Sequence, residues 1–484
     1  MKLKLLTLYP GPTGDVKEYQ GFPEQVSSAP RVIGIAPDGK VVSVPYVDAQ
    51  TIENNIMTAI TGTGSGTSIS VVVTEGVITL GDSANLDAFS RLRTSDPTTI
   101  FSSQSQYNAQ PEIFEAGATG AHGVTPAFNA NQRMVRLQTN AGTGTSYYQS
   151  YNYHPYQPGK SQFVFITFVL GDAVADAVKQ IGYFDASNGI FLEQNGVDGL
   201  RFVRRSSTTG VVVDDPVEQA DWNLDPLDGS GPSGLNLDVT KSQIMLMDLQ
   251  FLGMGRVRVG FDIGGKVVYA HEFLNANTTL AVPYMQTATL PVGALITATA
   301  TADIATLDWK CASVISEGGF DIDPTILSNS GEGTATAGSA TRTHLLSIRP
   351  GLTYNAIQNR IRMVLDNLDV LVTGNFPVFW ELCVGATFSV APTWAAVSAY
   401  SAFERGTGGI FQDLTTANGL VISSGYVAAS ASTKSAVKDV VASNWPITLD
   451  RAGARRALGT LTLLVTGLGG ASACRGGINF FEVR

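Results

Sequence analysis

The sequence predicts an all-β protein: antiparallel β-sandwich domains of the jelly-roll or lectin-like kind, preceded by a small mixed N-terminal unit. Three observations predict it. Of 484 residues 15% are charged, 44% are apolar and 51 are glycine, a composition suited to strands joined by tight turns. Short runs with alternating apolar faces recur over residues 86–320, separated by turn pairs such as Asn-Gly and Gly-Gly. No period of 20–50 residues repeats strictly, which argues against a solenoid.

The elements follow in order. "RVIGIAPDGKVVSVPYV" (31–47) reads as two strands about the turn "PDGK". "DAQTIENNIMTAITG" (48–62) is the helix candidate, with Ile52, Ile56 and Ile60 at four-residue spacing. A glycine run (62–68) and a strand pair reaching residue 82 complete an expected docking or anchor unit, 1–85. The central sandwich is expected over 86–320. In "RVRVGFDI" Val257, Val259, Phe261 and Ile263 face one way, while Arg256, Arg258 and Asp262 face the other. "GYFDASNGIF" is expected to bend at Asn-Gly and "DIGGKVV" at Gly-Gly. Residues 321–341, small and polar, read as a linker. A second sandwich is expected over 342–484. There "NRIRMVLDNLDVLV" is helical by composition, yet Ile361, Met363 and Leu365 alternate as in a strand.

Charge and cysteine usage bound the chemistry. A net charge of −10 excludes a general nucleic-acid-binding role, because phosphate contacts need concentrated Lys and Arg. The basic groups "RFVRR" (201–205) and "RAGARR" (451–456) read as ordinary solvated charge. Cys311, Cys383 and Cys474 form no CxxC pair and read as buried free thiols. The first apolar run stops at Pro10, short for a signal peptide. "FVFITFVLG" (163–171) is too short to span a bilayer as a helix. A soluble protein made in the cytoplasm is expected, without membrane insertion.

Each candidate for chemistry has a plainer structural reading. Asp221, Asp225, Asp228 and Asp238 in "DWNLDPLDGSGPSGLNLD" could supply oxygen ligands to a cation, but the EF-hand ladder is absent. Asp228-Gly229 and Gly231-Pro232 demand turns, and Trp222 would anchor one end in a core. Asp185, Asn188, Glu193 and Asp198 likewise flank turns. His122, His154, His271 and His344 make no metal-ligand spacing, no GxSxG elbow occurs, and "GTGSGTS" (62–68) lacks the lysine of a phosphate loop. No catalytic, metal or cofactor-binding residue is therefore expected, no cofactor, and no enzymatic activity. Tyr147, Tyr148, Tyr151, Tyr153 and Tyr156 crowd one short segment. A packed core, an interface and a glycan contact are the three readings of this cluster.

Several blocks together resemble a family of virion structural proteins of tailed bacteriophages. They are "NLDAFSRLRTSDPTTIFSSQSQY" (85–107), "YQPGKSQFVFITFVLG" (156–171), "IGYFDASNGIFLEQNG" (181–196), "QADWNLDPLDGSGPSGLNLDVTKSQI" (219–244), "GRVRVGFDIGGKVVYAHEFLNAN" (255–277) and "HLLSIRPG" (344–351). The resemblance covers roughly residues 85–420. It implies a structural component of the particle without catalysis, and it carries over no site residues. A tail or fibre-like attachment protein is expected. It would dock on other virion proteins through its N-terminal unit and assemble as a homo-oligomer, with a trimer as the expected form. The alternatives are a capsid decoration or vertex protein, and a carbohydrate-binding module of the particle that meets a host surface glycan.

Overall fold

The computed structural model describes residues 31–35, 41–45, 71–74, 77–80, 86–87 and 97–484, except 197, 279, 321–325, 337–340, 415–418, 430–435 and 438–444. The chain divides into two compact units, Met1–Ser83 and Ala84–Arg484. In the first, Arg31–Ile35 pairs antiparallel with Val41–Pro45, and Val71–Thr74 with Val77–Leu80. The helix expected over 48–62 and the glycine run at 62–68 lie outside the described residues.

The second unit is all-β and antiparallel, in two sandwiches. The first holds a seven-stranded sheet made of β1 (Phe114–Thr119), β2 (Gly142–Ser150), β3 (Ala177–Phe184), β4 (Gly189–Asn195), β5 (Gly199–Ser206), β6 (Val213–Glu218) and β7 (Val292–Thr301). Its order is β6-β5-β4-β3-β7-β2-β1. An eight-stranded sheet packs against it, running Lys266–Phe273, Val257–Ile263, Gln243–Leu249, Ser161–Val169, Ala305–Glu317, Met134–Thr139, Gly123–Asn129, with Pro97–Gln104 also on Ala305–Glu317. Alternate residues of both sheets meet in one core: Ile181, Leu192, Phe202 and Ile296 from one, Val164, Met247, Phe261 and Trp309 from the other. This two-face alternation is what a sandwich requires.

Val257, Val259 and Phe261 face that core, in the expected register. Arg258, on the opposite face, is not in solvent. It is wholly buried, donating to Asp248 Oδ2 and to the carbonyl of Leu86, each at 2.7 Å. Ser161 Oγ donates to the other Asp248 oxygen, and the Tyr269 ring lies 4.2 Å from the guanidinium. Leu86 thus covers part of the outward side of this sheet. The added hydrogen bonds, from Arg258 to Leu86 and from Ser161 to Asp248, help to sustain a buried ion pair.

Two turn expectations resolve differently. Gly264 and Gly265 both take positive φ (63° and 78°), the two-residue turn that a Gly-Gly pair supports. The other hairpin does not bend at Asn-Gly. Gly189 already pairs with Phe184 in the ladder, and the bend is the four residues Asp185–Asn188. Asp185 Oδ1 closes it by accepting from the backbone of Ser187 and Asn188, at 2.7 and 2.8 Å.

The second sandwich pairs a four-stranded sheet (Ile326–Ala335, Ser472–Val483, Arg362–Val372, Ala436–Val437) with a six-stranded one centred on Thr343–Pro350, Leu461–Gly467 and Val378–Val384. Leu365, Leu368, Ile478 and Phe480 meet Ile348, Trp380, Leu382 and Leu463 between them. Arg362–Val372 is a strand, with Met363 and Leu365 buried. The middle of the expected linker, by contrast, is a ten-residue strand, Ile326–Ala335, paired along its whole length with Ser472–Val483. Its small residues serve close packing: a Cβ on Gly331 would come within 2.1 Å of the Leu345 carbonyl oxygen.

Cys383 and Cys474 are buried and Cys311 half-buried, all free. Burial pushes the Cys383 thiol up to about 12. Among the described residues no helix is long and apolar enough to cross a membrane.

Candidate functional site

The tyrosine segment begins in β2 and continues into the connection to Ser161–Val169 of the facing sheet. Strand alternation divides its first members. Tyr148 points inward, stacked on Phe114 at 4.3 Å and edge-on to Trp309 at 5.8 Å, and its hydroxyl donates to the Ala109 carbonyl at 2.7 Å. Tyr147 points outward across Gly117, where an added Cβ would meet its ring at 2.3 Å. Its hydroxyl donates to Glu115 Oε1 at 3.3 Å. Tyr156 donates to the Gln250 carbonyl at 2.6 Å and packs edge-on against Phe251.

Three of the tyrosines meet arginines of the second sandwich. Arg451 lies 4.8 Å from the Tyr147 ring centre, Arg456 lies 3.2 Å from Tyr151, and Arg360 lies 4.5 Å from Tyr153. The Arg451 backbone N–H also donates to Glu115 Oε2 at 2.7 Å. Burial lowers the pKa of Arg456 and raises that of Tyr151, so this pair is partly withdrawn from water. A desolvated guanidinium over an aromatic face is attracted more strongly than an exposed one. Arg451 and Arg456 are therefore packing residues, which corrects the reading of "RAGARR" as solvated charge. "RFVRR" is engaged too: Arg201 with Glu193, Arg204 with Asp215 and Arg205 with Asp214.

Beside the seam, the register of the seven-stranded sheet sets a row of side chains across its outward face. Tyr147 is opposite Leu295, Leu295 opposite Gln180, Gln180 opposite Glu193, Glu193 opposite Arg201, and Arg201 opposite Glu218. Gln180 Nε2 donates to Glu193 Oε2 at 2.6 Å, and Arg201 Nε donates to Glu193 Oε1 at 2.7 Å. Arg201 Nη1 reaches Asp198 and Glu218, each at 3.4 Å. The row slopes from floor to rim: side-chain exposure rises from 5% at Glu193 through 19% at Arg201 to 41% at Glu218. Gln180 Oε1 and Glu218 Oε2 are buried atoms without a hydrogen-bond partner. Such atoms are costly unless a ligand or water satisfies them. In the sequence Glu193 reads as a turn-flanking residue, and nothing singles out Gln180. Counting pairs back from the Asn195–Gly199 turn would have set Glu193 opposite Arg201.

The aspartate and glycine stretch closes on itself. Asp225 accepts from the backbone of Leu227 (2.9 Å) and Ser233 (2.7 Å), Asp228 from Ser230 (2.8 Å), and Asp238 from Thr240 (3.1 Å). The Thr240 hydroxyl and the Lys241 ammonium, together with that backbone bond, hold Asp238 down at about 2. Trp222 anchors the loop, buried against Phe202 and donating to the Val217 carbonyl at 3.2 Å. Among the described residues no three His, Cys, Asp or Glu side chains are grouped so as to hold a metal ion.

No protein-family model and no curated protein matches the chain. Solved structures do resemble part of it. An endo-β-1,4-glucuronan lyase of Trichoderma reesei shares 12% identity at a TM-score of 0.26, covering 45% of this chain and 95% of its own. The CBM2 module of the evolved Dit of Lactobacillus casei phage J-1 shares 6% at 0.30, covering 47% and 99%. A legume lectin-like domain of Entamoeba histolytica shares 7% at 0.27, covering 44% and 96%. These likenesses concern the type of sandwich alone. They nonetheless correct one expectation, that of no enzymatic activity. The absence of familiar nucleophile and metal motifs gives no ground for excluding catalysis, and an endo-β-1,4-glucuronan lyase is among the partly similar structures.

Proposed function

We propose that this chain is a glycan-recognising structural subunit of a tailed-phage particle, and that it reads sugar hydroxyls on the outward face of its seven-stranded sheet. One observation carries the reading: the row Gln180–Glu193–Arg201–Glu218, with unpartnered oxygens on Gln180 and Glu218. A sugar hydroxyl both donates and accepts, and planar amide, carboxylate and guanidinium groups answer it with paired acceptors and donors. One polar group per strand, spaced about 4.8 Å apart, suits the scale of a sugar ring. The phage setting is supported by the sequence blocks that resemble virion proteins. In that setting the unit 1–83 docks on the particle, the chain works as a multimer made in the host cytoplasm, and the sandwiches face outward.

The test is a glycan array probed with the full chain and with Gln180→Ala and Arg201→Ala. The full chain is expected to bind at least one bacterial surface glycan, and each variant to weaken it about tenfold, the effect of losing roughly 1.4 kcal/mol of hydrogen bonding. Binding that survives both substitutions would remove the row from recognition. Antibody labelling of purified particles should place the chain on the tail, and signal confined to the shell would overturn that placement.

A further inference from the structure

Tyr107 is 80% exposed, the most exposed large apolar side chain among the described residues. It is held in place nonetheless. Gln106 Nε2 donates to its hydroxyl at 3.3 Å, and the Arg133 guanidinium stands 5.8 Å from the ring centre. Arg133 Nη1 donates to the Gln106 carbonyl at 3.2 Å, tying the loop after Pro97–Gln104 to the turn Asn129–Arg133. Beneath them Lys310 Nζ bridges the carbonyls of Ser105 (3.1 Å) and Arg133 (2.7 Å). Tyr148 pins the Ala109 carbonyl from the core side.

Both loops carry backbone strain at the platform. Gln110 and Arg133 take positive φ, 47° and 53°, a conformation that costs a side-chain-bearing residue about 1 kcal/mol or more unless its surroundings enforce it. Gln110 Oε1 is buried without a hydrogen-bond partner. Gln106 is the amide on the ring's hydroxyl, and the same two loops carry Asn108, Gln110, Asn131 and Gln132.

We propose that these two loops form a second sugar-binding site, a stacking platform for the C–H face of a neutral pyranose, with Tyr107 beneath the ring and Gln110 among the hydroxyl partners. A protein partner would call for apolar neighbours around the aromatic, and the contacts of Tyr107 are the Gln106 amide and the Arg133 guanidinium. A charged sugar would call for a free cation, whereas Lys310 is engaged by two carbonyls and Arg133 by a carbonyl and the ring. A flat apolar ring on loops that carry neutral amide donors and acceptors answers an uncharged sugar. The ligand class follows the proposed function, but the residues are separate from the row Gln180–Glu218.

Ligand-observed saturation-transfer NMR on the full chain, with maltotriose and chitotriose as probes, tests this. Tyr107→Ala is expected to weaken binding at least tenfold, Tyr107→Trp to retain it, and Gln110→Ala to weaken it severalfold. Tyr426→Ala, at a 73% exposed tyrosine of the second sandwich, should leave it unchanged. Failure of both trisaccharides to bind, or binding that survives Tyr107→Ala, would overturn the platform. The two readings separate cleanly: loss with Arg201→Ala but not Tyr107→Ala sinks the platform alone, and the reverse pattern sinks the row alone.

Discussion

His154, His271 and His344 are each at most 5% exposed, and each is neutral in the fold because burial disfavours the imidazolium. Desolvation holds His154 down to about 3, and His271 and His344 to about 4, from an ordinary value of 6.5. His154 sits beside Ser150 and Tyr183, His271 accepts the Asn223 backbone N–H, and His344 meets Ser347 Oγ at 2.9 Å. In the unfolded chain all three take up a proton as pH falls below 6.5, and in the fold they resist. The stability this represents is fully present above pH 6.5 and is lost as pH falls toward 4. The expected outcome is a drop in unfolding free energy between about pH 6 and 4.5, with each histidine contributing close to 1.4 kcal/mol per pH unit. Substituting His344→Gln should reduce that slope by nearly one proton in a series of denaturant titrations. An unchanged slope would show that His344 already protonates within the fold.

At the scale of elements, the strand Ile326–Ala335 shows how the same composition serves opposite ends. Ser, Thr and Gly in "ILSNSGEGTA" read as a linker because small polar residues are what loops use. Here they let a strand lie close to its neighbours. Gly331 faces the backbone of Leu345, which cannot yield, whereas a Cβ on Gly333 would meet only the end of the Leu345 side chain, at 2.9 Å. Gly331→Ala is therefore expected to cost about 2 kcal/mol or more, in the range of overpacking, and Gly333→Ala well under half of that. Thermal melts of the two variants check this, and equal losses would mean that the strand adjusts as a whole. Elements whose signal is local were readable. The alternation of Val257, Val259 and Phe261 and the Gly264-Gly265 turn both survive in the structure. The burial of Arg258 was not readable, because its partners Leu86 and Asp248 arrive from elsewhere in the chain.

Across the whole second unit, the two sandwiches are joined by arginines stacked on tyrosines some 200–300 residues away in sequence. That distance is why the seam was only half legible. The tyrosine cluster stood out in the chain, while Arg360, Arg451 and Arg456 looked like any exposed basic residues. Three partly dry cation–π contacts, at about 0.5–2 kcal/mol each, can amount to several kcal/mol of coupling between the sandwiches. That is enough for them to unfold together. The combined variant Arg360→Ala, Arg451→Ala, Arg456→Ala should therefore turn one calorimetric transition into two, with each sandwich keeping its own core. Arg475→Ala serves as the control, since Arg475 pairs with Glu332 in solvent with side-chain exposures of 67% and 75%, where an ion pair contributes little. A single transition in the triple variant, with a van't Hoff enthalpy matching the calorimetric one, would assign the coupling to the chain crossings between the sandwiches and away from the arginines.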